Sequence, residues 1–235
     1  RRSSDLTCIS FGISITVGVI VLYFVIPIVC GLSLGYGIKW TINWLNIKEF
    51  QIRNQNIILE LTSVILWMWA FLNLPLDEAI IFSLISTILV GIGLIDYFTF
   101  QIPLLLILIG VGVAFLSVLI GLTYLSSALW GIFVGAIIPW GIMGITWFIT
   151  KRQGMGYGDI QLGILLGAWL GPVRMAMTLF SASLLSLIAW IAVSLMKEFD
   201  KNRAIPLAPF LAVAGIGIYI GSVYYPSFFY LLIIE

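Results

Sequence analysis

Histidine is missing from all 235 residues. Its absence removes serine-histidine and cysteine-histidine catalysis, together with every histidine-ligated metal site. Charge is scarce as well: 9% of the residues are Asp, Glu, Lys or Arg while 62% are hydrophobic, against roughly 25% charged in ordinary soluble domains. Such a chain reads as a polytopic membrane protein. The two cysteines, Cys8 and Cys30, are too few for a four-thiolate zinc site, and Cys30 sits in an apolar stretch where a thiol behaves as a small hydrophobe. No metal site is expected. Net charge is only +1, and the basic residues are scattered through short loops instead of gathered on one face, which argues against a nucleic-acid partner.

What the chain has is apolar length. Runs fall at about 11–37, 56–73, 79–96, 103–121, 126–149, 159–171, 173–196 and 205–223, and a membrane span needs roughly 17–25 residues. The expected fold is therefore all-α, a transmembrane helical bundle of about eight spans (range six to eight), forming one integral membrane domain over residues 1–235. The sixth run is short, so it is tilted, joined to the seventh by a tight turn at Gly171-Pro172, or partly re-entrant. The first run carries no small-residue cleavage signature and reads as a span. Gly110, Gly112 and Ala114, and Gly131, Gly135 and Ala136, read as ordinary close helix packing.

Loop charges orient the bundle. Lys39, Lys48 and Arg53 lie in a loop expected over 38–56, Lys151 and Arg152 near 150–158, and Lys197, Lys201 and Arg203 near 197–204. Alternate loops hold Asp77, Glu78 and Arg174. Positive charge marks the cytoplasmic side, so those basic loops are placed there and the amino terminus outside, although Arg1 and Arg2 run against that assignment. The same threading puts Asp96, at the end of the third span, and Asp159, at the start of the sixth, on the cytoplasmic side.

Two carboxylates at membrane-edge positions are the equipment of an aspartyl protease. Facing each other, they share one proton, so that one activates water while its protonated partner polarises a peptide carbonyl. Asp159 follows a glycine-rich break, Gly154-Met155-Gly156-Tyr157-Gly158, whose lack of side chains and freedom for positive φ lets a substrate backbone approach. Pro103 starts the helix after Asp96, where a missing N–H costs nothing. A purely structural reading of the same acids stands beside this one: each caps a helix or pairs with a base, Asp159 with Lys151 or Arg152 and Asp96 with Lys39 or Arg53.

The segment Gly154 to Gly171, GMGYGDIQLGILLGAWLG, strongly resembles the second-aspartate motif of the type 4 prepilin peptidases, the GxGD membrane aspartyl proteases. Leu94-Ile95-Asp96 with the later Ile102-Pro103 looks like that family's first-aspartate motif. Ile58-Leu59-Glu60-Leu61-Thr62 looks like its glutamate-bearing span, and Ala204 to Ala212, AIPLAPFLA, like its proline-containing stretch before the last helix.

The resemblance implies that Asp96 and Asp159 are the catalytic pair of an endopeptidase, and that it removes a short basic leader from prepilins or pseudopilins at the cytoplasmic face of the inner membrane. It gives Gly156 and Gly158 a backbone role, has Pro206 and Pro209 shape a helix end, and makes Glu60 either a substrate-binding or a buried structural acid. Its partners are the prepilin-type substrate and the lipid bilayer, with no nucleic acid; oligomeric state stays open.

Three departures qualify the likeness. Many bacterial members have a lysine where this chain has Gln161, an acidic residue or asparagine where it has Leu104, and two cysteine pairs in the loop after the first span, where it has none. No zinc is therefore predicted, and no cofactor, with S-adenosylmethionine needed only if N-methyl transfer occurs. Competing readings are a presenilin-like intramembrane aspartyl protease, opposed by Ile95 in place of the usual tyrosine before the first aspartate, a proton-coupled transporter, whose paired interrupted helices are not visible, and a silent scaffold of a pilus or secretion assembly.

Overall fold

Prolines stand at the start of several helices in the computed structural model, which describes residues 21–45, 52, 57–151, 156–196 and 206–231. Among the described residues every regular element is helical. A π-helical turn, Val21–Val25, leads into α1 (Ile26–Leu45); α2 is Ile58–Asn73, α3 Leu76–Thr99, α4 Leu104–Leu119, α5 Leu125–Thr150, α6 Tyr157–Met196, α7 Ala208–Tyr224 and α8 the short Pro226–Leu231. Pro75 and Pro103 occupy the N-cap positions of α3 and α4, and Pro226 opens α8, positions where a residue without an N–H leaves no hydrogen bond unmade.

Four helical stretches are long and apolar enough to cross a membrane: Tyr23–Leu45, Leu76–Thr99, Leu125–Ile149 and Tyr157–Met196. Three shorter apolar helices, Ile58–Asn73, Leu104–Leu119 and Ala208–Tyr224, complete the bundle. The protein is an all-α membrane helical protein. Its outer face carries exposed Trp40, Trp130, Phe148 and Leu195, side chains that lipid accommodates and water does not. Hydroxyls inside the helices bond to the turn beneath them, Thr87 to the Ser83 carbonyl at 2.7 Å and Thr178 to that of Arg174 at 2.8 Å, which satisfies them without a neighbour.

The most buried helix is α3, packed by α2, α7, α1 and α4. Its partners approach at glycines. A Cβ on Gly91 would fall 2.6 Å from Ile38 Cγ2 of α1, and one on Gly93 would lie 3.2 Å from Pro209 Cα of α7. The pair α5 and α6 is held more tightly still. Gly131 and Gly135 of α5 meet Gly167 and Gly163 of α6, and a Cβ on any of the four would collide with the facing glycine's carbonyl oxygen. These are two small-xxx-small stripes packed antiparallel. Pro139, inside α5, withdraws the N–H that the Gly135 carbonyl would otherwise accept one turn back, and that carbonyl oxygen is the one lying against Gly163.

One sequence expectation is corrected here. The first run's helix does not end near 37: it continues to Leu45, so residues 38–45 are its last turns and not the beginning of a loop. The cause is Lys39, which is buried and ion-paired instead of solvated, leaving no charge that requires a loop. Residues 11–20 and the polar segment around 46–56, apart from Ile52, lie outside the described residues, as do Lys48, Arg53, Arg152, Lys197, Lys201 and Arg203. Ile52 is buried and tied to Asn43 near the end of α1 by two hydrogen bonds, its N–H donating to Oδ1 at 2.7 Å and its carbonyl accepting from Nδ2 at 3.1 Å.

The sixth and seventh runs are two helical limbs joined, as expected, by a tight break at Gly171-Pro172, where Gly171 has φ 75 and ψ 176. A left-handed φ is open to glycine at no steric cost, and Pro172 cannot continue the previous helix's hydrogen bonds. The limb 157–170 is about 21 Å long at 1.5 Å per residue, short of the roughly 30 Å hydrocarbon layer.

Candidate active site

Asp96 lies in the last turn of α3, and it is 6% exposed. Helix α3 stops three residues later because Phe100 adopts the left-handed conformation, φ 54, and its N–H closes onto the Asp96 carbonyl at 2.9 Å. The Asp96 side chain has a different partner: its Oδ2 accepts the backbone N–H of Ala208 at 3.2 Å. Ala208 is the first residue of α7, so its N–H is one of the four that a helix start leaves without an internal acceptor. The positive end of that helix dipole therefore points at the carboxylate. Pro209, at the second position of α7, needs no acceptor of its own, and its ring packs onto Gly93 one turn before Asp96. Pro206 precedes the Leu207 N-cap and is half-buried.

Asp159 is the third residue of α6 and is partly exposed. Its Oδ2 accepts the Gly156 N–H at 3.1 Å while its own N–H donates to the Gly156 carbonyl at 3.2 Å. This is the reaching-back half of a capping box, an acid three residues into a helix bonding the N-cap amide. The capping part of the structural reading is thus present for both acids. As to the pairing part, Lys39 goes to Glu60, while Arg53 and Arg152 lie outside the described residues.

Two of the glycines leave their conformational freedom unused. Neither Gly156 nor Gly158 has a positive φ. A Cβ on Gly156 would have only ordinary neighbours, the closest being Asp159 Oδ2 at 3.4 Å, so its contribution is the N–H. A Cβ on Gly158 would fall 2.9 Å from Ile102 Cβ. Gly158 is therefore the point where the segment after Asp96 and the segment before Asp159 touch. Pro103, buried beside Ile102, caps α4 with its carbonyl, which accepts the N–H groups of Leu106 at 3.1 Å and Ile107 at 3.4 Å. Gly154 lies outside the described residues.

The two carboxylates share one end of the bundle, where the segments that bear them meet at Ile102 and Gly158. They differ in access, Asp96 enclosed and Asp159 open at its surface side. Such a pair can hold a water on the accessible acid and a hydrogen bond to a peptide carbonyl on the other.

Glu60, in the first turn of α2, is buried and receives the Lys39 ammonium on Oε1 at 2.9 Å. Its Oε2 is buried with no hydrogen-bond partner among the described residues. Sequence reasoning placed Lys39 in a loop and so missed the pair. The available signal was a lone cation with apolar neighbours, Ile38 and Trp40, which calls for an opposite charge at the same depth. Ile102 and the Ala208 amide were also missed, because a backbone N–H and an aliphatic side chain carry no chemical mark in a sequence. Among the described residues no group of three or more His, Cys, Asp or Glu side chains comes together that could hold a metal ion.

Comparison with known proteins agrees with the motif resemblance. The chain is 34% identical over 134 residues to the prepilin leader peptidase/N-methyltransferase of Aeromonas salmonicida strain A449, covering 56% of this chain and 46% of that protein. It is 30% identical over 139 residues to the protein of the same name from Pseudomonas putida, covering 59% and 48%, and 33% identical over 95 residues to that of Neisseria gonorrhoeae, covering 40% and 32%. The chain spans about half the length of the curated relatives it matches. No solved structure matches it. The sequence model of the type IV leader peptidase family matches residues 82–191, a stretch containing Asp96, Pro103, Gly156, Gly158 and Asp159 but not Glu60, Pro206 or Pro209. By that match, and by the motifs that meet at Gly158, residues 82–191 are similar to the type IV leader peptidase family.

Proposed function

We propose that this protein is a membrane aspartyl endopeptidase of the inner (cytoplasmic) membrane, cleaving the short basic leader from a prepilin or pseudopilin at the cytoplasmic face, with Asp96 and Asp159 as its catalytic pair. The observation that carries the reading is the meeting of two separate motifs at one contact, Ile102 against Gly158, with an aspartate on each side of it.

In the proposed reaction the ionised member of the pair takes a proton from water as its oxygen attacks the scissile carbonyl. The protonated member donates a hydrogen bond to that carbonyl oxygen as negative charge develops there. The tetrahedral intermediate then collapses, the C–N bond breaks, and the proton first taken from water passes to the leaving amine. Because Asp159 is the more exposed acid, it is assigned the water, and Asp96, enclosed and held by the Ala208 amide, the carbonyl.

Gly156, Gly158, Pro103, Pro206 and Pro209 are assigned support of this geometry, and Glu60 a place beside the substrate path. Peptide hydrolysis alone is proposed: the relatives' names also carry N-methyltransferase, but residues 38–56 contain no cysteine, and no step is assigned to S-adenosylmethionine. The test is cleavage of a prepilin-type substrate in liposomes by the intact protein, Asp96→Asn and Asp159→Asn. Shortened substrate with the intact protein and none with either folded variant supports the pair; cleavage that survives either change rules it out.

A further inference from the structure

The end of the bundle opposite the two aspartates also contains a built cavity. Glu78, at the start of α3, is 18 residues from Asp96, roughly 27 Å along the helix at 1.5 Å per residue. Together with Arg174, Trp169, Tyr219 and Ser222 it lines a space of about 350 Å³, within the roughly 300–1,000 Å³ of small-ligand sites. One wall is aromatic: the rings of Trp169 and Tyr219 stack at 4.9 Å with planes 11° apart, and the Arg174 guanidinium lies 5.7 Å from the Tyr219 centroid.

Glu78 and Arg174 are both half-buried in this cavity, yet they form no ion pair with each other or with another described residue. Opposite charges kept apart in one space fit a ligand that carries both signs, since each sparsely solvated charge gains a counter-charge on binding. A second cavity, of about 390 Å³, adjoins the first and shares Tyr124, Ser127, Arg174 and Ser222 with it. The remaining wall of this one is mostly apolar, with Trp130, Pro172, Val173, Pro226 and Phe229 beside a single hydroxyl, Ser126. The break at Gly171 brings them together, because it closes against Ser127 and starts the limb that bears Arg174.

A polar chamber with both charges, opening onto an apolar slot at the level where helices end, has the chemistry of a phospholipid's head and tail. We propose that these two cavities bind one zwitterionic phospholipid. Its phosphate lies on the Arg174 guanidinium with the Ser127 hydroxyl in support, its ammonium against the Glu78 carboxylate beside the edges of the stacked Trp169 and Tyr219 rings, and an acyl chain runs along Trp130 and Phe229. The site would tie α3, α6 and α7 together at the end remote from the aspartates.

Native mass spectrometry of the delipidated full chain, titrated with phosphatidylethanolamine and phosphatidylglycerol of identical acyl chains, tests this. The intact protein is expected to take up one phosphatidylethanolamine about tenfold more tightly than phosphatidylglycerol, Arg174→Gln to weaken that binding about tenfold, and Glu78→Gln to narrow the preference. Equal affinity of the intact protein for the two lipids, or unchanged binding by Arg174→Gln, overturns the proposal. Should Arg174→Gln not fold, Val173→Trp fills the apolar slot and leaves both charges; it is expected to lose the lipid, and undiminished binding overturns the proposal. Glycerophosphoethanolamine, the head alone, is expected not to displace the lipid. Displacement at equal concentration would assign the site to a soluble phosphoester instead.

Discussion

Gly158 lies so close to Ile102 that a single added carbon would come within 2.9 Å of the Ile102 Cβ. One contact thereby joins the loop after the first aspartate to the helix start that bears the second. A methyl group inserted there must push the two segments apart. Gly158→Ala is expected to lower stability by about 1–3 kcal/mol, the usual cost of overpacking, and to depress cleavage more than that loss explains. Adding Ile102→Ala should recover both, and a thermal melt with a cleavage assay on the two single variants and the double variant checks the coupling.

Asparagine and alanine should differ at Asp96. Asparagine keeps an oxygen for the Ala208 N–H, whereas alanine leaves a helix-start amide buried and unsatisfied, at about 1–3 kcal/mol. Asp96→Asn is therefore expected to fold and be inactive, and Asp96→Ala to be inactive and less stable. Denaturation of both in one detergent separates the two effects; equal stability would show that the Ala208 bond contributes nothing.

Removing Lys39 should cost more than removing it together with Glu60. Lys39→Met leaves the Glu60 carboxylate buried without its counter-charge, a change worth about 3–5 kcal/mol. The double variant Lys39→Met, Glu60→Gln is expected to regain most of that. A double-mutant cycle on unfolding supplies the measurement, and additivity of the two single changes would contradict the pairing.

Glycines in the α5–α6 seam should be intolerant where others are not. Gly135→Leu or Gly163→Leu forces α5 and α6 apart, because each would-be Cβ meets the facing carbonyl, while Gly217 has nothing within 4 Å. Gly217→Ala is expected to be neutral or to stabilise by about 0.5–1 kcal/mol through helix propensity. The seam variants should lose folded protein in fluorescence-detected gel filtration, with activity falling in proportion as α6 carries Asp159.

Much of the fold was legible without coordinates. Apolar runs sized to a bilayer gave every helix from Ile58 to Tyr224 within a few residues, and Gly171-Pro172 marked the break in α6. The first helix was ended too early because Lys39 looked like a loop residue, and its burial depends on Glu60, 21 residues away. At the site, the aspartates and glycines were visible as types in a pattern, while the roles of the glycines were not. The freedom for positive φ goes unused at Gly156 and Gly158, where the backbone uses one glycine for its N–H and the other for its missing side chain.

The chain's own order of residues determined that this is a helical membrane protein with one acid closing α3 and another opening α6, because hydropathy and helix boundaries depend on neighbours a few positions apart. Which helices lie side by side was decided only in three dimensions. In lipid every apolar face is equally content, so lateral order comes from close glycine contacts and polar pairs between distant segments. Ala208 on Asp96, Lys39 on Glu60, Gly158 on Ile102 and Gly135 on Gly163 are such pairs, and each joins residues that no local pattern connects.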